Sequence, residues 1–219
     1  MNRKALLLYT LFFCGLIGCF YFALTRFIPG YGEVKLPVIS YVRPFSFINQ
    51  EGRTITERDI AGKVYVAEYF FTTCGSICPK MNTNMKKVYK EFKDEKDFLI
   101  LSHTVDPDID SVGKMKRYAD SLGADPKRWF FLTGRKDSLY RAARVSYLLD
   151  DPRNGRSTID DQFIHTQLFA LIDKKGQVRK IYDGLKENEL QELSADIKKL
   201  LNEKSSGNFA NSIFSNNPG

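Results

Sequence analysis

VYVAEYFFTTCGSICPKMNTNM, residues 64–85, sets an apolar run directly against two cysteines four positions apart, a proline and a stretch with helical spacing. Residues 63–71 read as a strand apolar on both faces, which predicts a central place in a sheet. After Pro79, the apolar positions Met81, Met85, Val88, Tyr89 and Phe92 recur at intervals of three and four, predicting an amphipathic helix over 79–92. Cys74 and Cys78 thus stand at a strand-to-helix turn. Three chemistries fit such a pair: a structural disulfide, a redox-active dithiol, or part of a metal site.

A helix starting near Cys74 would put the two cysteines one turn apart on one face, with Cβ atoms about 5–6 Å apart. A disulfide needs a Cβ separation near ~3.8 Å, so a modest adjustment closes one, and the same spacing lets both sulfurs grip one ion. Unpaired N–H groups and partial positive charge at a helix start favour thiolate over thiol. Gly75 and Ser76 add little bulk, and Pro79 sits where a missing N–H costs nothing. The expectation is a readily ionised pair, with Cys74 as the attacking sulfur in any exchange. A purely structural bridge closing so short a loop would add little stability.

Strands are expected over 98–105 and 129–132, helices over 112–122 and 136–147, a hairpin from 168–173 and 178–182 around Lys174-Lys175-Gly176, and a helix over 187–201. A small hairpin is expected from 45–48 and Thr54-Ile55. Alternating strands and helices closed by a hairpin and a helix are the α/β order of a thioredoxin-like domain. Residues 148–165 form a long polar loop, a kind usually functional or mobile.

The chain of 219 residues is 43% hydrophobic and 27% charged, with net charge +7 from 33 basic and 26 acidic residues. The basic residues are scattered, which argues against a nucleic-acid partner and leaves anionic lipid or an acidic partner. Residues 5–25 contain no charge and would rise about 31 Å as a helix, the thickness of a bilayer core. Arg3 and Lys4 precede this segment and Arg26 follows it. The basic start belongs in the cytoplasm, placing the rest outside, at the periplasmic face of a bacterial inner membrane. Leu16-Ile17-Gly18-Cys19 also has the form of a lipobox, with Cys19 as the lipidated residue, although the apolar FYFAL that follows favours an uncleaved anchor. The expected organisation is an anchor or signal segment over 1–28, a linker over 29–43, the domain over 44–202 and a disordered tail over 203–219. Cys14 and Cys19 fall in the anchor, so Cys74 and Cys78 are the cysteines of the soluble part, in a compartment where disulfides form.

The chain has two histidines. His103 lies within a predicted strand and reads as a core residue. His165 ends the polar loop just before the strand LFALID, whose start abuts the dithiol turn in a thioredoxin-like fold. Two thiolates and an imidazole suit Cu(I), accept Cu(II) with a further ligand, and also suit zinc with an open position. Asp106, Asp108 and Asp110 lack the glycine and glutamate of a calcium loop and read as turn and cap residues. Met81 and Met85 share a face with Val88 and Phe92 and read as core.

Residues 69–85, the strand running into HTVDPDID, and the late histidine before a strand and the KKGQV hairpin together resemble the SCO/SenC family, copper-binding proteins of cytochrome c oxidase assembly. The resemblance spans residues 44–201. It implies a membrane-anchored thioredoxin-like fold that binds copper through Cys74, Cys78 and His165, with Asp106 supporting the site. It further implies delivery to the copper-centre subunit of the oxidase, with other copper chaperones or thiol reductants as partners. The alternative is a thiol-disulfide oxidoreductase using Cys74 and Cys78, although CxxxC departs from the usual CxxC. Many members carry an aspartate directly before the histidine. Here that position is Ile164, with Asp160 and Asp161 upstream, so the imidazole's orienting partner must come from elsewhere.

Overall fold

Strand β4 (Val64–Phe70) is buried along its whole length. It pairs in parallel with β5 (Phe98–Thr104), from Val64 opposite Phe98 to Phe70 opposite Thr104, and β5 pairs in parallel with β6 (Trp129–Thr133). The helices α2 (Cys78–Phe92) and α3 (Val112–Leu122) make these crossovers, as parallel neighbours require. On the other side, β4 pairs antiparallel with β7 (Leu168–Ile172), which turns back into β8 (Gln177–Asp183). The hairpin of β2 (Ser46–Asn49) and β3 (Thr54–Thr56) adds to β6, and β1 (Ser40–Tyr41) adds to β8. The full order is β1-β8-β7-β4-β5-β6-β2-β3. The computed structural model describes residues 3–27, 35–75, 77–156, 158–164 and 166–203.

Alternation along the strands divides the core in two. Tyr65, Ala67 and Tyr69 of β4 and Leu99, Leu101 and His103 of β5 are buried on one face. There they meet α4 (Lys136–Arg141) and the π-helical turn Ala142–Ser146 that continues it. Val66 and Phe70 face the other way with Ile100, Trp129 and Phe131, on the side of α2 and α3. Helix α5 (Glu187–Asn202) buries Leu190, Leu193, Ile197 and Leu200. Met81 and Met85 are buried in α2, the core role their spacing predicts. His103 is likewise core: it stacks on Tyr69 at 5.0 Å and meets Phe47 edge-on. Burial holds its imidazole down at about 4.

Residues 1–36 and 37–219 form separate compact units. The first contains α1 (Arg3–Phe27), within which Leu6–Leu24 is long and apolar enough to cross a membrane. The linker expected over 29–43 ends earlier than its prolines suggested. Residues 40–41 pair with β8 and Val42 is 4% exposed, because this extended segment satisfies its backbone on a free sheet edge. The tail expected over 203–219 lies outside the described residues apart from Glu203, whose carboxylate pairs with Arg179 at 3.1 Å. The helix expected over 136–147 forms, its second half wound as a π-turn. The polar loop contains two short 3-10 turns, Pro152–Arg156 and Ile159–Asp161.

Candidate metal centre

Helix α2 begins at Cys78, not near Cys74, so the one-turn helical spacing expected for the pair does not apply. Cys74 lies in the loop before it, its amide donating to the Phe71 carbonyl at 3.2 Å. Pro79 is within the first turn, as predicted. The two cysteines are not joined by a disulfide. Cys78 is 4% exposed, while Cys74 is half-buried. Their thiols hydrogen-bond to one another across the turn that precedes the helix.

The prediction of two easily ionised sulfurs fails at Cys78. Burial pushes its thiol up to about 12, the hydrogen bond with Cys74 pushes the same way, and a backbone hydrogen bond from Phe71 only partly offsets them. Desolvation of the charged form outweighs the field of the helix start. A bound cation reverses that balance, since a coordinated thiol gives up its proton.

Two buried carboxyl groups near the pair have roles the sequence did not suggest: Glu68, which it did not single out, and Asp110, which it predicted as a turn or cap residue. Glu68 interrupts the run taken as continuously apolar and is fully buried. Ser102 donates to its Oε1 at 2.5 Å, and Trp129 Nε1 donates in turn to Ser102 at 2.8 Å. Burial raises this carboxyl to about 7, and its charge is felt at Cys78. A charged residue inside a run buried on both faces was the visible signal. Asp110 is also fully buried: it accepts from the Thr72 amide at 3.1 Å, from the Thr72 hydroxyl and from Thr104 Oγ1 at 2.6 Å. It therefore clamps the loop that carries Cys74 to the end of β5. Asp106 takes the turn role predicted for it, its carbonyl accepting from the Ile109 and Asp110 amides.

Cys74 and Cys78 line a small cavity of about 90 Å³, walled by Tyr69, Phe71, Val105, Ile164 and Thr166. Ile164 is 3% exposed, so the residue standing in the aspartate's place serves as an apolar wall. Asp160 is exposed, its carbonyl accepting from Lys136. The segment around residue 165 is anchored on both sides: Tyr140 donates to the Gln162 carbonyl at 3.2 Å, and Gly184 to that of Gln167 at 2.8 Å. His165 itself lies outside the described residues. Among the described residues no cluster of three metal-ligating side chains occurs. Two sulfurs lining one small cavity suit one soft ion.

Comparison with known proteins agrees with this architecture. The SCO1/SenC family profile matches residues 36–202. The SCO1 protein homolog of Bacillus subtilis (strain 168) is 32% identical over 170 residues, 76% of this chain and 86% of its own. BsSco, a member of the Sco family of cytochrome c oxidase assembly proteins with a disulfide switch, superposes with a TM-score of 0.66 at 31% identity, covering 78% of this chain and 99% of its own. ScoI of Bradyrhizobium japonicum, solved with copper bound, shares the fold at a TM-score of 0.58 and 23% identity, covering 74% and 99%. The thioredoxin-like fold is therefore that of the Sco proteins, and the chain belongs to the SCO1/SenC family.

Proposed function

We propose that this protein binds copper through Cys74, Cys78 and His165 and delivers it to the copper centre of cytochrome c oxidase, from a domain held outside the cytoplasm by α1. The observation that carries this reading is the wall of the dithiol cavity: the neighbours of His165 on both sides, Ile164 and Thr166, line it together with both cysteines. An imidazole reaching into a cavity of that size completes a set of two sulfurs and one nitrogen suited to Cu(I). Copper here is cargo. Unequal burial helps release, because half-buried Cys74 is open to an incoming ligand while Cys78 is enclosed. Arg3 and Lys4 before the apolar segment and Arg26 after it support the orientation.

Anaerobic Cu(I) competition against a chromophoric chelator tests the ligand set. Cys74→Ser or Cys78→Ser should abolish competitive binding, and His165→Ala should weaken it at least about ten-fold, ~1.4 kcal/mol. Unchanged affinity in His165→Ala removes the histidine from the set. The same asymmetry of exposure supports thiol-disulfide exchange as a second reading, with Cys74 attacking and Cys78 resolving. Exchange lost in Cys74→Ser but retained in His165→Ala would favour it.

A further inference from the structure

A separate groove of about 1080 Å³ shares no lining residue with the dithiol cavity. One wall is the chain from Arg43 to Phe47 with the end of β3, and the other is α4 with its π-turn. Arg43, Arg58 and Arg141 line it, are exposed, and make no ion pair among the described residues. A fourth arginine, Arg135, is engaged by Asp137, with nitrogen–oxygen distances of 3.1 and 2.6 Å. Glu57 also lines the groove, but its Oε2 accepts from the Phe45 amide at 3.2 Å. Three unpaired positive charges therefore face one carboxylate already engaged by backbone. Between them lie apolar surfaces: Phe45, stacked on Phe47 at 5.1 Å, and Val145, 44% exposed.

The helical wall uses uncommon backbone. The π-turn Ala142–Ser146 is followed by Leu148 at φ 55, the left-handed region that a leucine enters at a cost. This geometry lets Ser146 Oγ accept from the Arg43 amide at 3.0 Å and the Val145 carbonyl accept from Ser40 at 3.1 Å, tying the two walls together. π-turns and strained residues are concentrated at functional sites.

We propose that this groove docks an extended acidic segment of a partner protein. Its carboxylates would meet Arg43, Arg58 and Arg141, and an apolar side chain would rest on Phe45 and Val145. Guanidinium groups pair with carboxylates through two parallel hydrogen bonds, and a mixed charged and apolar lining discriminates better than charge alone. A concave site admits a peptide strand, whereas a flat lipid surface would meet only its rims. The location gives docking a use. Helix α4 presents Ser138 and Arg141 to the groove, while on its inner side the Leu139 carbonyl accepts from Tyr69 at 2.7 Å and Tyr140 donates to the Val105 carbonyl at 2.8 Å. Tyr69 and Val105 line the dithiol cavity. A partner held in the groove is thus bound to the helix that buttresses the cysteines, which raises its effective concentration there. The inference holds whether those cysteines carry copper or exchange disulfides.

The test uses the full chain in phosphatidylcholine nanodiscs and a fluorescein-labelled peptide alternating glutamate and leucine, read by anisotropy against empty discs. The expected result is saturable binding that weakens about ten-fold as salt rises from ~50 to ~300 mM. The Arg43→Ser, Arg58→Ser, Arg141→Ser triple variant should bind at least about ten-fold more weakly. These exposed side chains can be replaced without disturbing the core, and an unchanged circular dichroism melt confirms it. Absence of saturable binding overturns the proposal, as does equal binding by the triple variant or by a glutamine-for-glutamate peptide. If discs containing phosphatidylglycerol instead protect the amides of Arg43 and of 45–47 from hydrogen exchange and exclude the peptide, the groove is a lipid-headgroup site and the proposal falls.

Discussion

Asp110 carries more of the dithiol loop's architecture than its place in the sequence announces. Its carboxylate is the shared acceptor for the Thr72 amide, the Thr72 hydroxyl and Thr104 Oγ1, and Lys114 Nζ stands 3.8 Å away. Asp110→Ala leaves those donors without an acceptor in a largely desolvated place, a change expected to cost about 3 kcal/mol. Asp110→Asn keeps one oxygen and should cost less than half of that. Urea denaturation gives the magnitude, and hydrogen exchange at residues 72–75 should rise in both variants before the rest of the domain responds. An Ala variant within ~0.5 kcal/mol of the wild type would mean that water replaces the carboxylate without loss. The contrast with the cysteines shows what sequence makes legible. Cys74 and Cys78 announce themselves because their chemistry and spacing are local. Asp110 works through a contact to Thr72 that spans 38 positions, which no motif around residue 110 encodes.

At the scale of elements, hydrophobic periodicity located every major strand and helix of the domain, because each is amphipathic or fully buried over its own length. Two-residue β1 was missed, since its pairing depends on the far-off edge of β8, Ser40 lying opposite Val178 and Tyr41 opposite Gln177. The helix predicted over 79–92 forms as Cys78–Phe92, but the possibility that its first turn reaches back to Cys74 is not realised, and Ile77 at its N-cap makes no side-chain cap that could have marked the start. The junction of β8 with α2 shows a constraint of the same non-local kind. Gly184 receives a hydrogen bond from Asn84 Nδ2 on its carbonyl at 2.8 Å, and a Cβ placed on it would lie 2.5 Å from the ring of Phe169. Phe169 is fully buried, so the ring has little room to move. Gly184→Ala should therefore destabilise the domain by about 1–3 kcal/mol through overpacking. A denaturation midpoint equal to that of the wild type would show that the ring can turn aside.

For the whole molecule, stability against pH depends on two buried groups pulling in opposite directions. Glu68 has its folded value raised from 4.5 to about 7 by burial, so the folded state holds a proton that the unfolded chain has released between those limits. Its contribution is fully present below pH ~4.5 and is lost as pH rises towards ~7, about 3 kcal/mol in all. His103 has its folded value lowered from 6.5 to about 4, so over that interval the unfolded chain takes up a proton that the folded state refuses. Its contribution is present above pH ~6.5 and is lost as pH falls towards ~4, again about 3 kcal/mol. Between pH ~4.5 and ~6.5 the two slopes cancel. Both groups are fully buried on the two central strands, on opposite faces of the sheet. Glu68→Gln keeps an oxygen to accept from Ser102 and removes only the titration. Its stability should fall on acidification through that window while the wild type stays level, the difference in slope approaching one proton, ~1.4 kcal/mol per pH unit. Urea unfolding of both proteins at several pH values measures that difference directly, and parallel curves would mean that Glu68 titrates in the folded domain as it does in the unfolded chain.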